Sequence, residues 1–219
     1  MKTRLLPLIF AGFFFMTACK KEAAETATDA RDASAPSQDA ISYNVNTSTS
    51  VIEWTGSKQV GKHSGTLKLS GGTVFVRDNK IEGGNFTIDM NTINVIDLKP
   101  GDGKEDLEAH LKGLTVEKAD HFFNVQKYPE AKFEITGVST ETGKSTIEGN
   151  LTIKETTKNV KFPAIVSIDD SNVSITSDTF IIDRTEWKVN YASKSVFTDL
   201  NDKFVNDEIE LRVVVKASR

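Results

Sequence analysis

Three histidines, His63, His110 and His121, are the side chains best suited to metal binding or acid–base chemistry in this sequence. Their spacing matches neither His-x-His nor His-Glu-x-x-His, the patterns that place two imidazoles on one zinc ion. His110 and His121 flank one segment, where a polar contact or a helix-end role is the ordinary expectation. The sequence therefore predicts no metal site and no cofactor.

Motifs of common enzymes are also absent. The chain has no Gly-x-Ser-x-Gly elbow and no Gly-rich phosphate loop, and its single cysteine rules out a pair. Because convergent active sites are recognised by geometry and not by spacing, a hydrolase with an unrecognised site is kept as a weaker alternative. The favoured expectation is a protein that is not an enzyme.

The single cysteine, Cys19, follows a segment typical of exported proteins. Lys2 and Arg4 precede an apolar run over residues 5–16, which is too short to span a bilayer. The sequence Met16-Thr17-Ala18-Cys19 resembles a bacterial lipobox, although the first position is more often Leu. We expect residues 1–18 to be a signal peptide and Cys19 to carry a lipid. The alternative is a stray thiol after an ordinary signal, but one unpaired cysteine would be unusual in an exported protein.

This reading predicts a protein of the cell envelope, anchored to a membrane through Cys19 and facing the periplasm or the cell surface. Residues 19–40 contain no apolar residue larger than alanine, so they are predicted to form a lipidated flexible tether. Residues 41–219 are predicted to form one domain. Loss of the signal removes two cations, so that 25 basic residues face 31 acidic ones and the net charge is −6. Nucleic acid is not an expected partner.

Hydrophobic residues in this domain recur with a period of two, which is typical of strands with one buried face. Phe86, Ile88 and Met90 alternate with polar residues, and other segments repeat the pattern. In these other segments the residues predicted to face inward are Phe133, Ile135, Ile147, Leu151, Ile153, Phe180, Ile182, Ile209, Leu211, Val213 and Val215. Turn signals at Gly71-Gly72, Asp78-Asn79, Thr142-Gly143 and Asp169–Asn172 predict antiparallel hairpins. Eight or nine such strands indicate either a barrel or a sandwich.

A short helical insertion around residues 102–125 interrupts the strands. Asp102-Gly103-Lys104-Glu105 has the form of a capping box, Leu107 and Leu111 lie one turn apart, and Gly113 occupies a C′ position. A second turn is expected near Glu117. The adjacent Phe122 and Phe123 must bury themselves, either by wedging the insertion against the sheet or by simple loop packing.

Arg184 has the same strand parity as Phe180 and Ile182, so it points inward if that strand continues. An inward arginine needs a buried carboxylate or an anionic headgroup as its partner. The alternative is an ion pair near the end of the barrel, with the strand already finished at Asp183.

An ordered series of segments resembles the YceI-like family over residues 43–217. The most specific segment is "HLKGLTVEKADHFFNVQKYPEAKFEITGV", and "IEGNLTIKETTKNVKFP", "IDRTEWKVNY" and "VNDEIELRVVVKA" follow it in the order typical of the family. "SVIEWTGSK" and "HSGTLKLSGG" extend the similarity toward the N-terminus.

This resemblance implies an all-β fold: an extended antiparallel β-barrel of about eight strands, lipocalin-like in shape, with the helical insertion packed against it. It also implies an apolar cavity that holds a polyisoprenoid or a similar long-chain fatty amphiphile, for carriage, storage or sensing. A barrel of this size either fills with side chains or leaves room for one ligand. The alternative function is a surface adhesion or scaffold module with a filled barrel. The sequence leaves a homodimer open.

The expected ligand-binding residues combine the inward-facing strand positions with the insertion and the segment around Arg184. They are Phe86, Ile88, Leu107, Leu111, Phe122, Phe123, Phe133, Ile135, Leu151, Ile153, Phe180, Ile182, Arg184 and Trp187. Each aliphatic or aromatic member has solid core packing as its alternative role.

Overall fold

A computed structural model describes residues 27–33, 35–141 and 143–219; the predicted signal peptide and Cys19 lie outside these ranges. The strands are β1 (Thr28–Asp29), β2 (Ile41–Val45), β3 (Val51–Lys58), β4 (Lys62–Arg77), β5 (Lys80–Val95), β6 (Glu130–Glu141), β7 (Lys144–Ile153), β8 (Thr156–Ile168), β9 (Asn172–Ser177), β10 (Phe180–Asp183) and β11 (Val205–Ser218). The helix α1 spans Lys104–Lys112, and single 3₁₀ turns span Val116–Lys118 and Arg184–Trp187.

Eight of these strands close into an antiparallel barrel. β3 to β9 pair in sequence order, and β11 pairs with both β9 and β3 to complete the ring. β2 takes the place of β3 between β4 and β11 over the remaining length of those strands. The closed ring confirms the all-β barrel and excludes the sandwich, because a sandwich leaves edge strands on two separate sheets.

The two ends of the barrel are built differently. At the end that we call the far end, three turns connect β4 to β5, β6 to β7 and β8 to β9. At the opposite end, which we call the helix end, lie the β3–β4 turn, the β7–β8 turn, α1 and the segment 184–204. Long connections are therefore confined to the helix end, where loops are free to carry function.

Side chains fill the far end of the barrel. Tyr43, Val74, Val173 and Ala217 are all buried there, on four different strands. The hydroxyl of Tyr43 donates to the carbonyl oxygen of Asp169 in the β8–β9 turn at 3.1 Å. That bond satisfies the polar tip of a buried aromatic ring, so the far end is packed as solid core.

Two turn and cap predictions differ from the structure. Gly71-Gly72 does not form a hairpin turn but lies within β4, where the pairing with β5 shifts between Leu69 and Gly71. A bulge and a hairpin both favour glycine, so composition alone did not separate them. The turn at Asp78-Asn79 is confirmed, with positive φ angles of 49° and 59°.

The start of α1 also differs from the prediction. The cap residue is Gly103, with φ 88°, and no side chain caps the helix, so the capping box beginning at Asp102 is wrong. A carboxylate oxygen of Glu105 instead accepts a hydrogen bond from the backbone N–H of Gly101 at 3.1 Å. Gly113 is confirmed as the C-terminal glycine, with φ 69° and ψ 43°.

Part of the segment predicted to be a flexible tether lies against the barrel. Thr28 and Asp29 pair with Asn159 and Lys158 of β8. Backbone and side-chain bonds join Arg31 to Asn150, and its guanidinium forms an ion pair with Glu148 at 2.5 Å. Residues 28–31 thus contact the barrel through the short strand β1 and the bonds of Arg31, which the absence of large apolar residues did not indicate.

The two tryptophans occupy opposite hydrogen-bonding situations. Trp187 is fully buried, and its indole N–H donates to the carbonyl oxygen of Leu151 at 2.9 Å. The buried indole N–H of Trp54 has no acceptor among the described residues. Replacing tryptophan by phenylalanine therefore removes a hydrogen bond at position 187, whereas at position 54 it removes a donor that has no acceptor.

We expect Trp187→Phe to lower the free energy of unfolding by about 2–4 kcal/mol, because it leaves a buried carbonyl without its donor and removes ring volume. Trp54→Phe is the matched control and should have a smaller effect, since it removes an unsatisfied polar group. Urea unfolding curves with unchanged slopes would measure both. Equal destabilisation by the two variants would contradict the assigned role of the Trp187 hydrogen bond.

Candidate ligand cavity

The interior of the barrel contains a cavity of about 430 Å³ between the filled far end and the helix end. Nearly all of its wall consists of aliphatic and aromatic side chains on the inward faces of the strands. Small-molecule sites occupy roughly 300–1,000 Å³, whereas a packing defect in a core rarely exceeds one or two waters. The cavity therefore has the size and the chemistry of a site for an apolar ligand.

The structure brings almost all of the sequence-predicted site residues to this wall. Those on the wall are Phe86, Ile88, Leu107, Leu111, Phe122, Phe123, Phe133, Ile135, Leu151, Ile153, Phe180, Ile182 and Arg184. Trp187 is not part of the wall and is corrected to core, because its ring is fully buried and its N–H is held by Leu151.

Four phenylalanines form a continuous aromatic strip along one side of the cavity. The ring centroids of Phe86 and Phe133 are 6.2 Å apart, and those of Phe133 and Phe162 are 5.7 Å apart. Phe162 and Phe180 stack at 4.5 Å with an interplanar angle of 13°. Such ring pairs stabilise one another beyond simple burial, so this side of the wall is well defined in shape.

Two glycines make room for large rings in the wall. A Cβ atom on Gly149 would lie 2.2 Å from the Phe133 ring, and one on Gly65 would lie 2.4 Å from the Trp54 ring. Both glycines lie in strands that neighbour the strand of the ring concerned. Any side chain at these positions would push the ring into the cavity or out of the barrel.

Helix α1 closes one flank of the cavity with Leu107 and Leu111. It is joined to the end of β5 by two charged side chains. Glu108 accepts a hydrogen bond from the backbone N–H of Val95 at 2.9 Å, and Lys104 donates to the side-chain oxygen of Asn94 at 2.9 Å. These polar ties hold a helix whose own side chains are only partly buried.

The adjacent Phe122 and Phe123 complete this flank. The backbone N–H of Phe123 donates to the carbonyl oxygen of Leu111 at 3.2 Å, which folds the segment back onto the end of α1. Phe122 is buried and Phe123 is half-buried, and both reach the cavity. The expectation that this pair buries itself between helix and barrel is confirmed.

A cluster of His110, His121 and Tyr191 lies beside Phe122 at the helix end. His110 Nε2 and His121 Nδ1 are 2.8 Å apart, and the rings of His121 and Tyr191 stack at 4.2 Å. Burial lowers the pKa of His110, and repulsion from His121 and Lys118 acts in the same direction. The two imidazoles are thus hydrogen-bonded to each other, which is the polar contact expected for these histidines.

Arg184 lies at the helix end and not in the middle of a strand. β10 ends at Asp183, and the guanidinium is 2% exposed. It donates to the carbonyl oxygens of Val205 at 3.0 Å and Asn206 at 3.1 Å, and to that of Val189. The alternative of an ion pair at the barrel end is therefore the observed one.

The ion pair joins Arg184 Nη2 to Asp207 Oδ1 at 3.2 Å. Burial pulls the pKa of Arg184 below its ordinary value, while the carboxylates of Asp207 and Asp183 act in the opposite direction. Together the four hydrogen bonds leave one of the five N–H groups for any other partner. A headgroup contact by Arg184 thus stays a prediction, and its evident role is to hold β11 against the segment 184–204.

The cavity reaches the surface at the helix end. Its boundary there includes the exposed Lys58, Gly61 and Lys62 of the β3–β4 turn together with Asn206 of β11. The pairing of β11 with β3 is interrupted between Val205 and Ile209, so the sheet is loosened beside this opening. An elongated ligand would have its end here.

Sequence reasoning missed part of the wall. Trp54, Phe162 and Tyr191 line the cavity without having been named as site residues. Phe162 carries the same alternation as its neighbours on β8, so the period-two signal was sufficient to find it. Tyr191 lies in an irregular segment, where no periodicity exists to indicate a facing direction.

The described part of the chain holds no group of three or more His, Cys, Asp or Glu side chains that could hold a metal ion. None of the helices in residues 27–33, 35–141 and 143–219 is long and apolar enough to cross a membrane.

The fold and the cavity define an antiparallel barrel with an apolar cavity that opens at the helix end. The profile of the YceI-like domain matches residues 43–217, and the chain belongs to this family. A search of curated protein sequences finds no match.

Solved structures with the same fold include BcnA from Burkholderia cenocepacia. It is 20% identical, with a TM-score of 0.60, over 79% of this chain and 99% of that one. A polyisoprenoid binding domain from Saccharophagus degradans, implicated in plant cell wall breakdown, is 10% identical. Its TM-score is 0.55, over 80% of this chain and 97% of that one. At these identities the likeness establishes the fold.

The lowered pKa of His110 leads to a pH-dependent stability. An unfolded histidine titrates near 6.5, so below about pH 7 the unfolded chain binds more protons than the folded one. We expect the free energy of unfolding to fall as the pH drops from about 7 to 5, and His110→Gln to flatten this dependence. Urea unfolding at several pH values measures it, with His63→Gln as the control for loss of a histidine. If the free energy of unfolding of His110→Gln depended on pH as strongly as that of the unmodified protein, His110 would not be the cause of the lower stability at acidic pH.

Proposed function

We propose that this protein binds one long-chain amphiphilic lipid of the polyisoprenoid type, with the hydrocarbon tail inside the barrel. The observation that carries the proposal is the cavity of about 430 Å³ with an almost entirely apolar wall. Membership of the YceI-like family and the likeness to a polyisoprenoid binding domain support the same ligand class. The scaffold alternative required a filled interior, which this cavity does not match.

Binding of such a tail is driven by removing apolar surface from water, at about 25 cal/mol per Å² before the entropy of association is subtracted. The wall offers few hydrogen-bond donors or acceptors, so it selects for length and shape and not for polar groups along the chain. The polar head of the amphiphile lies at the helix end, where Lys58, Lys62 and Asn206 border the opening. The tail contribution is expected to be insensitive to salt, because it is not electrostatic.

Filling the cavity should abolish uptake without unfolding the protein. Ala131 is buried and lines the cavity, whereas Ala164 is buried in solid core away from it. We expect Ala131→Phe to weaken binding of a polyprenyl alcohol at least tenfold, with a nearly unchanged free energy of unfolding. Ala164→Phe, the matched control, should lower the free energy of unfolding by about 1–3 kcal/mol through overpacking while the folded protein still binds.

Native mass spectrometry of freshly purified protein and a titration with the polyprenyl alcohol at low and high ionic strength would measure both effects. Absence of bound lipid together with no uptake of long-chain amphiphiles by the unmodified protein would refute the proposal. The adhesion or scaffold function would then be favoured.

We also propose that Cys19 anchors the protein to a membrane of the cell envelope through a covalently attached lipid. The proposal rests on the short apolar run that ends at this solitary cysteine. Mass spectrometry of the mature protein should find a chain that begins at residue 19 and carries added lipid mass, and Cys19→Ser should lack that mass with the barrel still folded. A mature chain without lipid on Cys19, released by a high-salt wash of the membranes, would contradict the anchor.

A further inference from the structure

Exposed hydrophobic side chains are concentrated at the helix end of the barrel. Val116 is 98% exposed and Val60 is 80% exposed. Ile96, Leu114, Val196 and Phe197 are also exposed, and all six lie in the connections of that end. The other two exposed large hydrophobic residues of the described ranges, Ile41 on β2 and Ile165 on β8, lie on strands in the far half of the barrel and outside its turns. Loops in contact with water rarely expose several hydrophobic side chains close together, and a cluster of this kind indicates an interaction surface.

The far end shows the opposite character. Its turns consist of Asp78-Asn79, of residues 141–144, and of residues 169–172, with polar residues and glycine throughout. Asp169 there accepts hydrogen bonds from the backbone N–H groups of Ser171 and Asn172, both at 2.8 Å. The two ends thus differ in chemistry as well as in construction, and the apolar end is the one at which the cavity opens.

We propose that the helix end is a membrane-docking surface, on which the barrel rests with its opening against the lipid. This deepens the proposed function, since it names the source from which the lipid is taken up. A hydrocarbon tail leaving a bilayer for the cavity would otherwise have to cross water, at a high cost in exposed apolar area. If the exposed hydrophobic side chains around the opening enter the bilayer interface, no layer of water separates the cavity from the membrane.

The charges at this end favour apolar insertion over electrostatic attraction. Lys58 and Lys62, which flank the β3–β4 turn, are offset by Asp97, which is bonded to the start of β4, and by Glu105 and Asp106 on α1. With cations and carboxylates mixed in this way, neutral headgroups should suffice for docking. A strongly basic surface, by contrast, would require anionic lipid.

The orientation can be measured on the protein as it exists, reconstituted on phosphatidylcholine vesicles. Val60→Cys and Val116→Cys would carry a polarity-sensitive fluorophore, with Ile165→Cys on the barrel side and Asp170→Cys in a far-end turn as controls. We expect a blue shift and quenching by brominated phosphatidylcholine at the first two positions and neither effect at the controls. Equal signals at all four positions, or stronger signals at the controls, would overturn the proposal.

A second measurement separates docking from ligand binding. The double variant Val60→Asp and Val116→Asp should slow transfer of a polyprenyl alcohol from vesicles to the protein at least tenfold, because two apolar side chains no longer enter the interface. Ile165→Asp is the matched control and should leave transfer unchanged. Neither valine lines the cavity, so uptake of a short prenyl alcohol from solution should be the same in all variants.

The outcomes distinguish the two proposals. Loss of transfer with solution uptake intact supports docking, whereas unchanged transfer in the double variant refutes it. Absence of solution uptake in the unmodified protein refutes the ligand proposal and leaves the fluorescence result to decide the orientation by itself. A protein dimer that Val116→Asp dissociates would assign this surface to a second copy of the chain and would overturn membrane docking.

Discussion

An apolar cavity inside the barrel is the feature on which the rest of this structure depends. Closing eight strands into a ring gives every barrel strand a hydrogen-bonded neighbour on both sides, so the sheet does not need a filled core to hold its strands together. The rings of Phe133, Phe162 and Phe180 support one another along the wall instead of meeting across the centre. Because Gly65 and Gly149 let rings lie flat against neighbouring strands, the cavity remains open where larger residues would have closed it.

The packed far end supplies the stability that the open half lacks. Tyr43, Val74 and Val173 form solid core there. The helix end is held differently, by the buried ring of Trp187, which is hydrogen-bonded to β7, and by polar contacts at a few points. Arg184 gathers three backbone carbonyls and Asp207, while Glu108 and Lys104 fasten α1 to the end of β5. Such pieces can move with less loss of packing than strands can, and they lie at the end where the cavity opens.

Under the proposed function, the lipid passes through the helix end only, and the far end stays closed. The lipid would enter and leave where the connections are long, the sheet pairing is interrupted near Val205, and the exposed side chains are aliphatic. The histidine pair and Tyr191 lie beside that opening in a cluster of packed rings. The barrel strands then serve as a rigid container, and any adjustment to ligand length falls on the helix end.

The sequence by itself determined the strands and their inward faces, because alternation of apolar and polar residues is a local property of a pleated chain. Phe86, Ile88, Phe133 and Ile135 face inward as that period required. It also indicated α1 and its terminal Gly113, since a left-handed cap depends on one residue.

Tertiary structure alone decided the features that depend on residues distant in sequence. Gly71-Gly72 became part of a strand because β5 pairs across it, and Asp102 lost its capping role because Gly103 took the cap conformation. Trp187 was assigned to core and Tyr191 to the wall by packing in irregular segments, where no period exists. Whether the interior is filled or empty is likewise a matter of how rings from different strands meet. Inward alternation reads the same in both cases, so only the three-dimensional fit of the side chains could reveal the cavity.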